Sequence, residues 1–114
     1  MRMHAGRDDF TMPANRAVVA AAESLRLLAD PTRIKILWAL AQGESNVTCL
    51  AELAGTSQTA TSQHLAKLRL AGVVSAVREG GFVFYQLADQ GTGQLLAQVL
   101  GQARPPRVGR PGVG

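Results

Sequence analysis

The apolar positions of this chain change period along its length, and the changes mark out its elements. From Asn15 to Leu28, Ala, Val and Leu recur with Arg16, Glu23 and Arg26 between them, the spacing of an amphipathic helix that ends near Ala29-Asp30. Asp30 has the chemistry of an N-cap and Pro31 stands where a helix needs no N–H. A second helix is therefore predicted, with Ile34, Leu37, Trp38 and Ala41 at helical spacing and Gly43 at its end. After the polar loop Glu44-Ser45-Asn46, a short third helix from Val47 to Ala54 sets Val47, Leu50 and Leu53 on one face and stops at Gly55. Thr56 or Ser57 caps a fourth helix through Leu70, with an inner stripe read as Ala60, Leu65 and Leu68, and Gly72 closes it. The pattern then turns β-rich: Val73 to Arg78 and Phe82 to Leu87 read as a hairpin around Glu79-Gly80-Gly81. A last amphipathic helix, about Thr92 to Gln102, carries Leu95, Leu96, Val99 and Leu100 on one side.

The predicted fold class is mainly α with a β-hairpin wing, a winged helix-turn-helix. The third and fourth helices form the helix-turn-helix around Gly55, and the hairpin lies beside it. With 114 residues there is room for one modest core, placed at residues 14–102. The aperiodic residues 1–13 predict a flexible arm, and the Pro- and Gly-rich residues 103–114 a disordered basic tail.

A net charge of +4 suggests a polyanionic partner, but Arg104, Arg107 and Arg110 supply most of it, and residues 14–102 hold seven basic against six acidic groups. The local pattern is more telling. No acidic residue occurs from Leu53 through Arg78, where Lys67, Arg69 and Arg78 lie, so that window can approach phosphates without repulsion. The lone Cys49 forms no internal disulfide and no multi-cysteine metal cluster, which suits a reducing compartment. No apolar run reaches the roughly 20 residues a membrane span needs, so the cytoplasm is the expected location.

The fourth helix opens with small, uncharged hydrogen-bonding side chains, the kind that fits close to base edges in a major groove. Ser57, Gln58, Thr59, Thr61, Ser62 and Gln63 are of this kind, with Gln58 and Gln63 assigned to base-edge readout and Thr59, Thr61 and Ser62 to mixed base, thymine-methyl and phosphate contact. His64 is read as a packing or phosphate-contact residue, and Lys67 and Arg69 as phosphate contacts. Arg78 and Gly80 mark the wing tip, where an Arg can flank the minor groove. The bland readings are a solvated helix face and a plain turn.

The runs LADPTRIKILWAL, LAELAGTSQTATSQHLAKLRLAGVV and REGGFVFYQL together resemble the ArsR/SmtB family of winged-helix regulators over residues from about 24 to 88. The joint occurrence of Asp30-Pro31-Thr32-Arg33, Ser62-Gln63-His64-Leu65, Leu68-Arg69 and Ala71-Gly72-Val73-Val74 carries the resemblance. It implies a homodimer built on the first and last helices that binds operator DNA and releases it on a signal, a transition metal such as nickel or zinc among them. Val18, Ala21, Leu25, Leu95, Leu96, Val99 and Leu100 are the expected interface residues. Leaving the last four wet would cost several kcal/mol, at about 1.5–3 kcal/mol per fully buried Leu or Val. A twofold dimer sets its two recognition helices about one DNA turn apart, which predicts an inverted-repeat operator.

The chain departs from the family at its metal positions. Asn46-Val47-Thr48 stands where metal-sensing relatives carry a Cys-Val-Cys run. Asp89, Gly91, Gln102 and Pro105 match a second site that needs Asp, His, His and Glu or His. The remaining candidate donors, His4, Cys49, His64 and Asp89, are scattered, and Cys49 reads as a small buried side chain. The signal then comes from a separate sensing protein or from none. Two further function classes stand beside the regulator. One is a protein-interaction module using the winged helix as a scaffold. The other is an enzyme, for which no phosphate loop, His-Glu-x-x-His or paired carboxylates near a His are found.

Overall fold

The computed structural model describes residues 10–102. Residues 1–9 and 103–114, and with them His4, most of the expected arm and all of the expected tail, lie outside the described residues. The described elements are α1 (Asn15–Leu28), α2 (Pro31–Gln42), α3 (Val47–Ala54), α4 (Gln58–Leu70), β1 (Val74–Glu79), β2 (Phe82–Leu87) and α5 (Gln90–Leu100).

Side-chain caps start four of the five helices. Asp30 Oδ2 accepts from the Arg33 N–H at 2.9 Å, with Pro31 in the first turn of α2. Asn46 Oδ1 accepts from the Cys49 N–H at 2.9 Å and opens α3. Ser57 Oγ accepts from the Ala60 N–H at 3.0 Å, which makes Ser57 and not Thr56 the cap of α4. Asp89 Oδ1 accepts from the Gly91 N–H at 2.7 Å, so α5 begins at Gln90, earlier than its apolar pattern predicts.

Ten buried side chains make one core: Ile36, Leu37 and Leu40 of α2, Leu50 and Ala54 of α3, Leu65 and Leu68 of α4, Val74, Leu87 and Leu96. Helix α2 is its axis, packing on α3, α5 and β2. Helix α5 comes close because Gly93 has no side chain: a Cβ there would sit 3.1 Å from that of Ala41. The strands pair antiparallel from Val74 with Leu87 to Glu79 with Phe82, leaving Gly80-Gly81 as a two-residue turn. Both glycines have positive φ, 55° and 88°, the backbone that matches the twist of a tight hairpin.

Three sequence-based assignments are corrected by packing. On α4 the innermost residue of the first turns is Thr61, fully buried, while Ala60 is only half-buried. The Thr61 hydroxyl donates to the Ser57 carbonyl at 2.8 Å, which satisfies it inside the protein. Leu96 belongs to the protomer's own core and is not free to face a partner, whereas Leu95, Val99 and Leu100 are exposed. Leu53 is exposed rather than sharing the inner face of α3 with Leu50.

The backbone N–H of Arg33 holds the Asp30 carboxyl below its ordinary value of 3.8, with the Arg33 guanidinium and His64 acting in the same direction and partial burial opposing them. A depressed folded-state value means the stabilisation is present at neutral pH and is lost as pH falls through that value. In urea unfolding, the stability gap between wild type and Asp30→Asn should close as pH falls below about pH 4. Leu65→Ala, which empties a fully buried position, should cost about 2–5 kcal/mol in the same measurement.

Candidate nucleic-acid interface

Helix α3 ends at Gly55 in the left-handed conformation, φ 68°, with the Gly55 and Thr56 N–H groups closing on the carbonyls of Glu52 and Ala51. Three residues later α4 begins, so the turn between the two helices is tight and its exit angle is fixed by the glycine backbone. Burial of Thr61, Leu65 and Leu68 on one row leaves Ser57, Gln58, Thr59, Ser62, Gln63, Lys67 and Arg69 exposed. Among the described residues, the side chains of Gln58, Thr59, Ser62 and Gln63 form no hydrogen bond to the rest of the protomer. They present free donors and acceptors at the N-terminal half of the helix. Thr61 takes no part in that surface.

His64 takes the packing role of the two expected for it. Its side chain is only 23% exposed. Its Nδ1 lies 3.2 Å from Arg33 Nη1 and its Nε2 lies 4.0 Å from Asp30 Oδ2, so the ring faces the start of α2. Arg33 in turn donates from Nε to the Leu27 carbonyl of α1 at 2.6 Å. This cluster was not read from the sequence. Asp30 and Arg33 form a visible motif, but the 31-residue separation of Arg33 and His64 carries no periodic signal that pairs them.

Beside α4 stands the hairpin, with Arg78, Gly80 and Gly81 exposed at or near its tip. Its base is bonded to the loop before α3: the Ser45 N–H donates to the Tyr85 carbonyl at 3.0 Å, and the Tyr85 N–H to the Ser45 carbonyl at 2.7 Å. A groove lined by Leu65, Ala66, Arg69, Leu70 and Tyr85 runs between α4 and β2.

On the opposite elements, none of the 14 residues of α1 is buried, and Val18, Ala21 and Leu25 are exposed together with Leu95, Val99 and Leu100 of α5. Val99 is 71% exposed and Leu25 55%.

The family's two metal positions do not fit a metal here. Asn46 uses its side-chain oxygen to cap α3, Thr48 offers no thiolate, Asp89 caps α5, and Gly91 has no side chain. Cys49 is half-buried and free of disulfide, and no group of three His, Cys, Asp or Glu that could hold a metal occurs among the described residues. No described helix is long and apolar enough to cross a membrane.

Comparison with known proteins agrees with this architecture. The sequence model of the family described as "Bacterial regulatory protein, arsR family" matches residues 30–76. The chain is 40% identical over 94 residues to the HTH-type transcriptional regulator KmtR of Mycobacterium tuberculosis, covering 82% of this chain and 72% of KmtR. It superposes with a TM-score of 0.66 and 32% identity on the homodimeric winged helix-turn-helix DNA-binding domain of Mb0332 from Mycobacterium bovis, over 80% of this chain and 87% of that one. The AntR antimony-specific transcriptional repressor gives a TM-score of 0.74 at 26% identity, over 88% of this chain and 91% of that one. Helix-turn-helix, wing and these likenesses together identify the chain as a member of the ArsR family, a winged helix-turn-helix DNA-binding transcriptional regulator and not an enzyme.

Proposed function

We propose that this regulator binds an inverted-repeat operator as a homodimer, with α4 of each protomer in the major groove and the wing along the adjacent backbone and minor groove. The observation that carries the reading is the exposed, unbonded row of Gln58, Thr59, Ser62 and Gln63 on a helix whose opposite row is locked into the core. Side chains of this size let the backbone approach base edges, and Gln pairs bidentately with adenine. Gln58 and Gln63 read bases, and Ser57, Thr59 and Ser62 make mixed contacts. Lys67 and Arg69 neutralise phosphates, and Arg78 beside the slim Gly80 turn follows the minor groove.

The homodimer is supported by the exposed apolar side chains of α1 and α5. Val18, Ala21, Leu25, Leu95, Val99 and Leu100 together offer several kcal/mol of burial, at about 1.5–3 kcal/mol for each fully covered Leu or Val. A twofold partner uses the same patch twice and closes. The Mb0332 domain is homodimeric, a precedent for this assignment, and AntR is an antimony-specific repressor, a precedent for a metalloid signal. A metal signal such as nickel or zinc would need donors other than the two family positions, and a separate sensing protein is the other route. A chromosome-bound regulator works in the cytoplasm.

Replacing Gln58 or Gln63 by Ala should weaken operator binding by about 1–3 kcal/mol and leave nonspecific DNA binding nearly intact, measured by fluorescence anisotropy on both duplexes. Equal losses on both would remove these residues from base readout. Val99→Asp should leave each protomer folded but raise the dimer dissociation constant at least tenfold in sedimentation, as expected when an exposed apolar contact receives an unpaired charge.

A further inference from the structure

The cluster of Leu27, Asp30, Arg33 and His64 joins three helices that the function treats separately. Helix α1 buries none of its side chains, and only Leu27 and Leu28 in its last turns pack partly against the core. Its orientation is therefore weakly held within one protomer. Arg33 reaches that last turn through Nε, 2.6 Å from the Leu27 carbonyl. The same guanidinium reaches the middle of α4 through Nη1, 3.2 Å from His64 Nδ1. Its own backbone N–H is held by the Asp30 cap at 2.9 Å, so the base of the side chain is fixed as well.

A planar guanidinium offers its donors at fixed angles, so two acceptors bonded at once are held at a fixed separation. Here the two acceptors belong to the helix that carries half of the dimer face and to the helix that carries the base-reading side chains. His64 directly follows Gln63, and a rotation of the ring's helix moves Gln63 with it.

We propose that Arg33 is a positioning residue for operator recognition, a rigid strut whose two hydrogen bonds pass the orientation of α1, set by the partner protomer, to α4 through His64. His64 serves as the receptor of that strut and not as a DNA contact. The inference rests on the dimeric operator reading above and adds the route by which pairing of the protomers fixes the reading helix. It assigns Arg33 no phosphate contact: its Nε and one Nη1 donor are used inside the protomer, and the salt slope tests whether its other donors reach DNA.

The test uses the full-length protein with Arg33→Lys, His64→Phe and the double variant. Each is measured on operator and on an unrelated duplex across a salt series, at protein concentrations where sedimentation shows dimer. Lysine keeps the charge but has one ammonium, which cannot span both acceptors. Phenylalanine keeps the ring volume and removes the acceptor. Each single variant should lower the ratio of operator to nonspecific affinity about fivefold to tenfold, with the salt slope unchanged and the double variant no worse than either single.

Rescue of the wild-type ratio by lysine would overturn the strut. So would losses that add in the double variant, or a salt slope reduced by about one, which marks a lost phosphate contact. If Arg33→Lys does not fold, His64→Phe decides alone: a wild-type ratio overturns the proposal. Wild-type protein with no preference for any duplex would instead overturn the operator reading, and this inference with it.

Discussion

Burial of one row of α4 is the constraint on which the outer surface depends. Thr61, Leu65 and Leu68 are all fully enclosed, spaced four and three residues apart, so this row faces inward and only small changes in the helix's angle leave the core closed. Everything on the far side is then placed by geometry: Gln58, Ser62 and Gln63 point outward because their neighbours cannot. The exposed side chains of Gln58, Thr59, Ser62 and Gln63 form no hydrogen bond within the described protomer, and the core residues beneath them are enclosed.

Most of the architecture was legible because caps and glycines punctuate it. Gly55 and the Gly80-Gly81 turn take positive-φ backbone that few other residues tolerate, and Asp30-Pro31 marks the start of α2 by a side-chain cap. What was not legible shares a different cause. Thr61 was assigned outward from its chemistry, although its spacing to Leu65 and Leu68 puts it on their row; the helical phase outweighed the hydroxyl, which found an acceptor in its own helix. Leu96 looked equivalent to Leu95, Val99 and Leu100, but α5 is apolar on two sides, and the side bearing Gly93 and Ala97 packs inward on α2. Asp89 was weighed as a metal donor when its place before α5 makes it a cap.

The Arg33 cluster lies beyond any periodic reading. Its partners are separated in sequence, its donors go to a backbone carbonyl and a histidine ring, and neither bond leaves a trace in hydropathy. Such contacts are where helices that pack weakly on one another acquire a defined angle. In this fold α1 is the element most in need of one, since its apolar face is turned away from its own protomer.

The pair of backbone bonds between Ser45 and Tyr85 has a consequence for how binding preferences change. It fastens the base of the hairpin to the segment that introduces α3, so wing and helix-turn-helix are parts of one frame joined through main-chain atoms. Only a residue without an N–H, a proline at Ser45 or Tyr85, would remove a bond from that joint. The distance along a duplex between what the wing meets and what α4 meets is accordingly a property of the scaffold. Sequence drift can rewrite which letters are favoured at each place, but the ruler between the two places stays the same length.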